Sequence, residues 1–287
     1  MNADPAHPTA ELPKTVTFAE AGTILLLGAG RMGGALLAGW LDRGLDPSHV
    51  VAVDPHLSEE MAAILARRGV RHETAVPSGA AFRVALIAVK PQSMAEALPA
   101  LAAALGPETL AISIAAGTPI ATFETHLGAR PIVRAMPNTP AQVGRGVTVA
   151  VGNAAVSPLD HAVTTHLLKA VGSVEWVEDE ALIDAVTAVS GSGPAYVFHL
   201  VEALATAGTA AGLPADLAMR LARGTVSGAG ELLARADDSA EILRRNVTSP
   251  GGTTAAALAV LMRPEGLTAL MTEAVAAAAA RSRELSA

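Results

Sequence analysis

From Thr23 the apolar positions gather into a short aliphatic run, Ile24 to Leu27, and after a glycine turn they recur at helical spacing until a second run, Val50 to Val53. Strand, turn, helix and strand in that order are the unit of a parallel sheet, because a crossover helix is what allows the second strand to run the same way as the first. Further runs at Val84 to Val89, Leu110 to Ile114 and Pro131 to Arg134 predict buried strands, separated by Ala-rich stretches compatible with helix. The pattern predicts an α/β fold with a Rossmann-type, doubly wound parallel sheet.

Beyond Asn138 the texture changes. Gly144 to Val151 and Val174 to Val177 read as two final strands around a helix at about Leu159 to Val171. From Asp179 no strand pattern survives, and the spacing predicts helices from Leu182 to Leu285, broken at Ser190 to Pro194, Gly212 to Pro214, Ser249 to Gly252 and Pro264. The expected organisation is a flexible tail at 1–21, a dinucleotide-binding domain at 22–178 and an all-α substrate and dimerisation domain at 179–287.

Composition narrows the chemistry. The chain of 287 residues is long enough for two cores, and its 51% hydrophobic but 2% aromatic content points to tightly packed Ala, Val and Leu. A net charge of −7, with twenty basic residues scattered among twenty-seven acidic ones, argues against a nucleic-acid partner. With no cysteine, thiolate metal sites and thiol nucleophiles are excluded, so redox chemistry has to come from a bound organic cofactor, and no metal is expected. The stretch Met1 to Ala21 lacks the basic start and apolar run of a signal peptide, and the apolar run Ala274 to Ala280 is too short to cross a bilayer. A cytoplasmic protein without membrane contact is expected.

Gly28, Ala29, Gly30, Arg31, Met32 and Gly33 match G-x-G-x-x-G directly after a predicted strand and at the start of a predicted helix. The first glycine permits the tight turn, the second lets backbone N–H groups approach a pyrophosphate, and the third lets helix and strand pack closely. Asp54 ends the next strand about twenty residues on, where an acid binds the adenosine ribose hydroxyls. It would repel a 2′-phosphate, so the cofactor is NADH or NADPH with a lean to NADH, which His56 nearby would soften. Val89, Lys90 and Pro91, then Ala115, then Asn138 end later strands in the same row and are candidates for the nicotinamide half, with Asn138 a hydrogen-bonding group near the reacting ring. Each of them could equally be a loop residue bonded to its own backbone.

Two glycine-rich breaks precede helices: Ser190-Gly191-Ser192-Gly193-Pro194-Ala195-Tyr196 and Ser249-Pro250-Gly251-Gly252-Thr253-Thr254. Helix N-termini expose N–H groups that hold a carboxylate without any arginine, which makes Ser190, Ser249, Gly251, Gly252 and Thr253 candidates for the substrate side. Ser190, Ser249 and Thr253 could also do no more than cap helices. Tyr196, which ends the first of them, and His199 and Glu202 just beyond it read as structural.

Taken together, the glycine turn from Ile24 to Gly33, the segments Val89 to Gln92 and Arg134 to Thr139, and the two glycine-rich breaks resemble the pyrroline-5-carboxylate reductase family. The resemblance implies a Rossmann domain followed by a helical domain that interlocks with a partner's in a homodimer or larger assembly. It implies NAD(P)H-dependent reduction of 1-pyrroline-5-carboxylate to L-proline, with the backbone around Ser249 to Thr254 gripping the substrate carboxylate and Thr254 hydrogen-bonding the ring nitrogen. Hydride reduction of a ketone commonly uses a positioned His or Lys as proton source. From Asp179 to the end there is no lysine and only one histidine, which weighs against a hydroxyacid dehydrogenase. The residues also leave room for a related imine reductase, or for a protein that senses the dinucleotide without turnover.

Overall fold

The uninterrupted aliphatic runs become the centre of one eight-stranded sheet because side chains alternate between its two faces and both faces are covered by helices. The computed structural model describes residues 16–79 and 81–286. Its strands are β1 (Ile24–Leu27), β2 (Val50–Val53), β3 (Arg71–Glu73), β4 (Val84–Ile87), β5 (Leu110–Ser113), β6 (Ile132–Met136), β7 (Gly146–Gly152) and β8 (Gly172–Trp176), in the spatial order β3-β2-β1-β4-β5-β6-β7-β8. The helices around them are α1 (Phe18–Ala21), α2 (Arg31–Asp42), α3 (Glu59–Arg68), α4 (Met94–Ala104), α5 (Ile120–Leu127), α6 (Pro158–Leu168) and α7 (Ile183–Val186).

Ile24 and Leu26 pack with Leu36 and Trp40 on one face of the sheet, while Leu25 and Leu27 pack with Leu98, Leu101 and Phe123 on the other. Trp40 is fully buried, and its indole N–H donates to the Leu167 carbonyl at 2.8 Å, tying α2 to α6.

Several features depart from the sequence reading. Strand β3 is not expected from the sequence, since Arg71, His72 and Glu73 carry no apolar signal; as an edge strand it needs none and pairs in parallel with β2. Strand β7 runs antiparallel to β6, so the sheet is mostly rather than wholly parallel. Its connection to β6 contains only the single 3-10 turn Thr139–Val143, too little chain for a crossover helix. The described part of the expected tail is ordered: Thr17 and Glu20 form a capping box at α1, Ala21 is buried, and Phe18 meets His166 of α6 edge-on. The rest of that tail lies outside the described residues.

The chain divides into two compact units, one running to Gly191 and including the residues from Ser282 onward, the other Ser192–Arg281. The first compact unit therefore runs past the expected boundary near residue 178. The reason is local: the Glu180 carboxylate accepts from the Ile120 N–H (2.9 Å) and from Arg134 Nη1 (2.7 Å), and Ile183 is buried in the core of the sheet. Ser190 to Pro194 does not break the helical path as expected. It widens it into a π-turn, Thr187–Gly191, which leads into the next helix.

The second unit contains α8 (Gly193–Ala210), α9 (Ala215–Arg235), α10 (Ala240–Asn246), α11 (Thr253–Leu261) and most of α12 (Leu267–Ser286). Breaks at Gly212–Pro214, Ser249–Gly252 and Pro264 fall between helices as expected, and a further break precedes α10, whose N-cap is Ser239. The buried apolar side chains among its described residues are only Ala205, Ala218 and Ala222, while Phe198 (65%), Leu232 (53%) and Leu270 (61%) stay exposed. Among the described residues, no helix is long and apolar enough to cross a membrane.

Trp40→Phe removes the donor to Leu167 and part of a filled core, so it is expected to lower unfolding free energy by about 1–3 kcal/mol in urea titrations. Cofactor affinity should stay unchanged, because α2 keeps its contacts to the sheet.

Candidate functional site

The spatial order of the strands reverses between β1 and β4, and ligands of open α/β sheets bind at the carboxyl ends of strands beside such a switch point. The glycine turn leaves β1 at that place. Gly28 has φ +95°, and a Cβ there would come within 2.9 Å of the Ala88 backbone. A Cβ on Gly33 would strike the carbonyl of Gly28 and approach Ala88 Cβ at 3.1 Å. Gly30 is different, since a Cβ there meets nothing within 4 Å. The outer two glycines are thus required by the protein itself, and the middle one leaves open space at the N-cap of α2, where no side chain caps the helix. Free N–H groups facing an open, glycine-lined turn fit a pyrophosphate.

Asp54 stands beside this turn as the sequence reading expects. Its carboxylate accepts from the Ala29 N–H through Oδ2 (2.9 Å) and from the His56 N–H through Oδ1 (2.9 Å). Its backbone N–H donates to the Glu73 carbonyl at 3.1 Å, and its own carbonyl accepts from His72 Nε2 at 2.9 Å. Nothing in the apolar pattern points to His72, because it sits on the polar edge strand. Arg31 and Met32 begin α2, Arg31 exposed and Met32 packed against the core.

Further along the row, β4 ends at Ile87, short of the expected Val89, and Lys90 is an exposed N-cap of the 3-10 turn Pro91–Ser93. Val89 is half-buried against the core beneath α4. Ala115 is buried, with its N–H given to Ser113 Oγ at 3.2 Å. A cavity of about 300 Å³ lies against Pro91, Met94, Gly117, Thr118 and His126, and its lining holds no carboxylate.

Asn138 and Ser190 are brought together, in a way the sequence does not suggest. The Asn138 amide donates to the Ser190 carbonyl (3.1 Å) and accepts from the Val147 N–H (2.9 Å), and the residue is only 8% exposed. The Ser190 hydroxyl donates to the Val186 carbonyl at 3.0 Å. Asn138 therefore bridges protein groups through both ends of its amide, and the Ser190 hydroxyl is engaged within the π-turn. Both polar residues satisfy part-buried backbone groups.

In the second unit, Gly251 takes φ +70°, Gly252 N–H donates to the Ser249 carbonyl at 3.1 Å, and Gly252 is the N-cap of α11. No side chain caps this helix, so Ser249 and Thr253 do not play the capping role left open by the sequence. A Cβ on Gly252 would strike Ser249 Oγ, which explains the second glycine. Thr254 is half-buried in the first turn of α11. Such an uncapped first turn, opened by glycine, leaves backbone N–H groups that can hydrogen-bond an anion. His199 pairs with Glu202 at 3.1 Å on an exposed face of α8, which makes this histidine and this glutamate a surface pair and not a buried one. Among the described residues no group of His, Asp and Glu is arranged to hold a metal ion.

Residues 180–285 match a family model described as pyrroline-5-carboxylate reductase dimerisation, and residues 23–117 match one described as NADP oxidoreductase, coenzyme F420-dependent. The chain is 43% identical over 264 residues to the pyrroline-5-carboxylate reductase of Pseudomonas aeruginosa, covering 91% of this chain and 96% of that protein. It is 36% identical to the enzyme of the same name from Glycine max, covering 93% and 97% of the two chains. Among solved structures, a pyrroline-5-carboxylate reductase from Coxiella burnetii matches with a TM-score of 0.87 at 35% identity, over 93% of this chain and 99% of that one. A pyrroline carboxylate reductase of Plasmodium falciparum with NADP bound matches with a TM-score of 0.76 at 27% identity, over 93% and 99%.

Gly30→Ala should leave the unfolding midpoint within a degree or two, because the added methyl finds open space, while weakening dinucleotide binding about tenfold or more. Gly33→Ala should lower both. Titration of each variant with NADH, alongside thermal unfolding, separates the glycine the ligand requires from the glycine the fold requires.

Proposed function

The chain belongs to the pyrroline-5-carboxylate reductase family and reduces 1-pyrroline-5-carboxylate to L-proline with a nicotinamide cofactor, and we propose that the glycine turn and the Ser249–Thr254 segment divide the binding work. In this reading Gly28, Ala29, Gly30, Arg31, Met32 and Gly33 hold the pyrophosphate, Asp54 holds the adenosine ribose, and the Val89–Pro91 and Ala115 loops hold the nicotinamide half. Ser249, Gly251, Gly252 and Thr253 hold the substrate carboxylate through backbone N–H groups, and the Thr254 hydroxyl bonds the ring nitrogen. The observation that carries the substrate assignment is the first turn of α11, which begins at a glycine and has no side-chain cap.

The cofactor, when bound, supplies the hydride. What remains for the protein is modest, because a protonated imine is already electrophilic at carbon and its nitrogen keeps its proton through the reaction. The chain needs to anchor the carboxylate, orient the ring and steady the nitrogen, and a threonine hydroxyl suffices for the last. The absence of lysine from Asp179 onward, with its single histidine paired at the surface of α8, fits a reaction without a strong general acid.

The NADH preference rests on Asp54, whose carboxylate would lie against a 2′-phosphate. Assembly rests on the second unit, whose exposed Phe198, Leu232 and Leu270 on nearly core-less helices are what a second copy of the chain would cover in a homodimer or larger oligomer.

Incubation of the protein with 1-pyrroline-5-carboxylate should consume NADH and yield proline, and binding of cofactor without turnover would overturn the reading. Thr254→Ala should lower kcat/KM for the imine by about ten- to a hundredfold, the loss of one hydrogen bond to a charged group, with NADH affinity unchanged. Asp54→Ser should raise NADPH use relative to NADH by about tenfold, read as the ratio of the two kcat/KM values. An unchanged ratio would remove Asp54 from cofactor choice.

A further inference from the structure

Asp54 sits where β2 ends, beside an edge strand of three residues. Its backbone N–H meets the Glu73 carbonyl at 3.1 Å, and β3 stops at that residue. Where the ladder ends, the imidazole of His72 supplies a donor to the Asp54 carbonyl, with Nε2 at 2.9 Å. A carbonyl can only accept, so the proton is on Nε2.

Fixing that carbonyl fixes the peptide plane between Asp54 and Pro55. Proline already confines the residue before it to extended backbone, and the His72 bond selects one orientation within that range. The same plane aims the following chain, so that the His56 N–H reaches Asp54 Oδ1 at 2.9 Å, while the Ala29 N–H holds Oδ2 at 2.9 Å. Each carboxylate oxygen accepts about two bonds, so each keeps one lone pair whose direction is now set.

We propose that His72 is a positioning residue for the dinucleotide: through the Asp54 carbonyl it pre-orients the Asp54 carboxylate for the adenosine ribose hydroxyls. The inference rests on the reading of Asp54 given above. Preorganisation of this kind raises affinity by reducing what has to be ordered on binding, and leaves the chemical step alone.

The test compares His72→Leu, which removes the donor, with His72→Gln, which restores an amide donor. Dissociation constants of NADH and NADPH are measured by nicotinamide fluorescence without substrate, together with kcat, KM and the thermal midpoint. The Leu variant should bind NADH about three- to tenfold more weakly, the usual worth of one hydrogen bond, with NADPH less affected and kcat within about twofold. The Gln variant should recover most of the loss. Unchanged NADH binding in the Leu variant, equal weakening of NADH and NADPH, or no recovery in the Gln variant would each overturn the role of His72. Asp54→Ser separates the two levels: if its NADH to NADPH ratio of dissociation constants stays at the native value, the Asp54 reading falls and this inference with it. If that ratio moves while His72→Leu binds like the native protein, only the role of His72 falls.

Discussion

The close approach of three backbones, at the end of β1, the end of β4 and the start of α2, is the constraint on which the dinucleotide-binding unit depends. A Cβ on Gly28 would lie 2.9 Å from the Ala88 backbone, and one on Gly33 would strike the Gly28 carbonyl, so two side chains have to be absent before helix and sheet can meet. Once they meet, Leu36, Leu37 and Trp40 of α2 reach the face of the sheet formed by Ile24 and Leu26, and a continuous core forms on both sides of β1 and β4. The N-terminus of α2 is left uncapped over the open space at Gly30. The contact that closes the core therefore also leaves the opening in which our reading places the pyrophosphate.

Asp54 extends the same logic from backbone to side chain. Its carboxylate is bound to the Ala29 N–H of the glycine turn, so the residue that recognises the ribose in our reading also helps hold the turn that receives the pyrophosphate. In that reading nucleotide recognition is a network property of β1, β2 and β3 together. A short polar edge strand, which contributes nothing to the core, serves to fix the backbone of one acid.

The helical unit follows a different rule. Its buried apolar side chains, among the described residues, are alanines, while larger residues such as Phe198, Leu232 and Leu270 remain outside. A single copy does not bury what its sequence offers, which is the physical content of a domain that matches a dimerisation family. The glycines at 251 and 252 serve the backbone of the turn before α11, where Gly251 has φ +70° and Gly252 leaves room for Ser249.

What the sequence determined by itself was whatever local pattern encodes: the aliphatic strands, the glycine turn with Asp54 behind it, the helical character after Asp179 and most of its breaks. These signals are periodic or depend on residues adjacent in the chain, so no partner from far away is needed to read them. Only the tertiary structure decided the rest. The direction of β7 followed from the space left by a single short turn, β3 formed because β2 offered an edge, and the residues around Glu180 joined the first compact unit because Glu180 found Arg134 and the Ile120 N–H. Asn138 and Ser190, both read as site residues, proved to be bonded to each other across 52 positions of chain, and His72 to Asp54 across 18. Hydrogen bonds between residues so far apart leave no periodic trace in the sequence, because their specificity lies in the folded geometry that brings donor to acceptor.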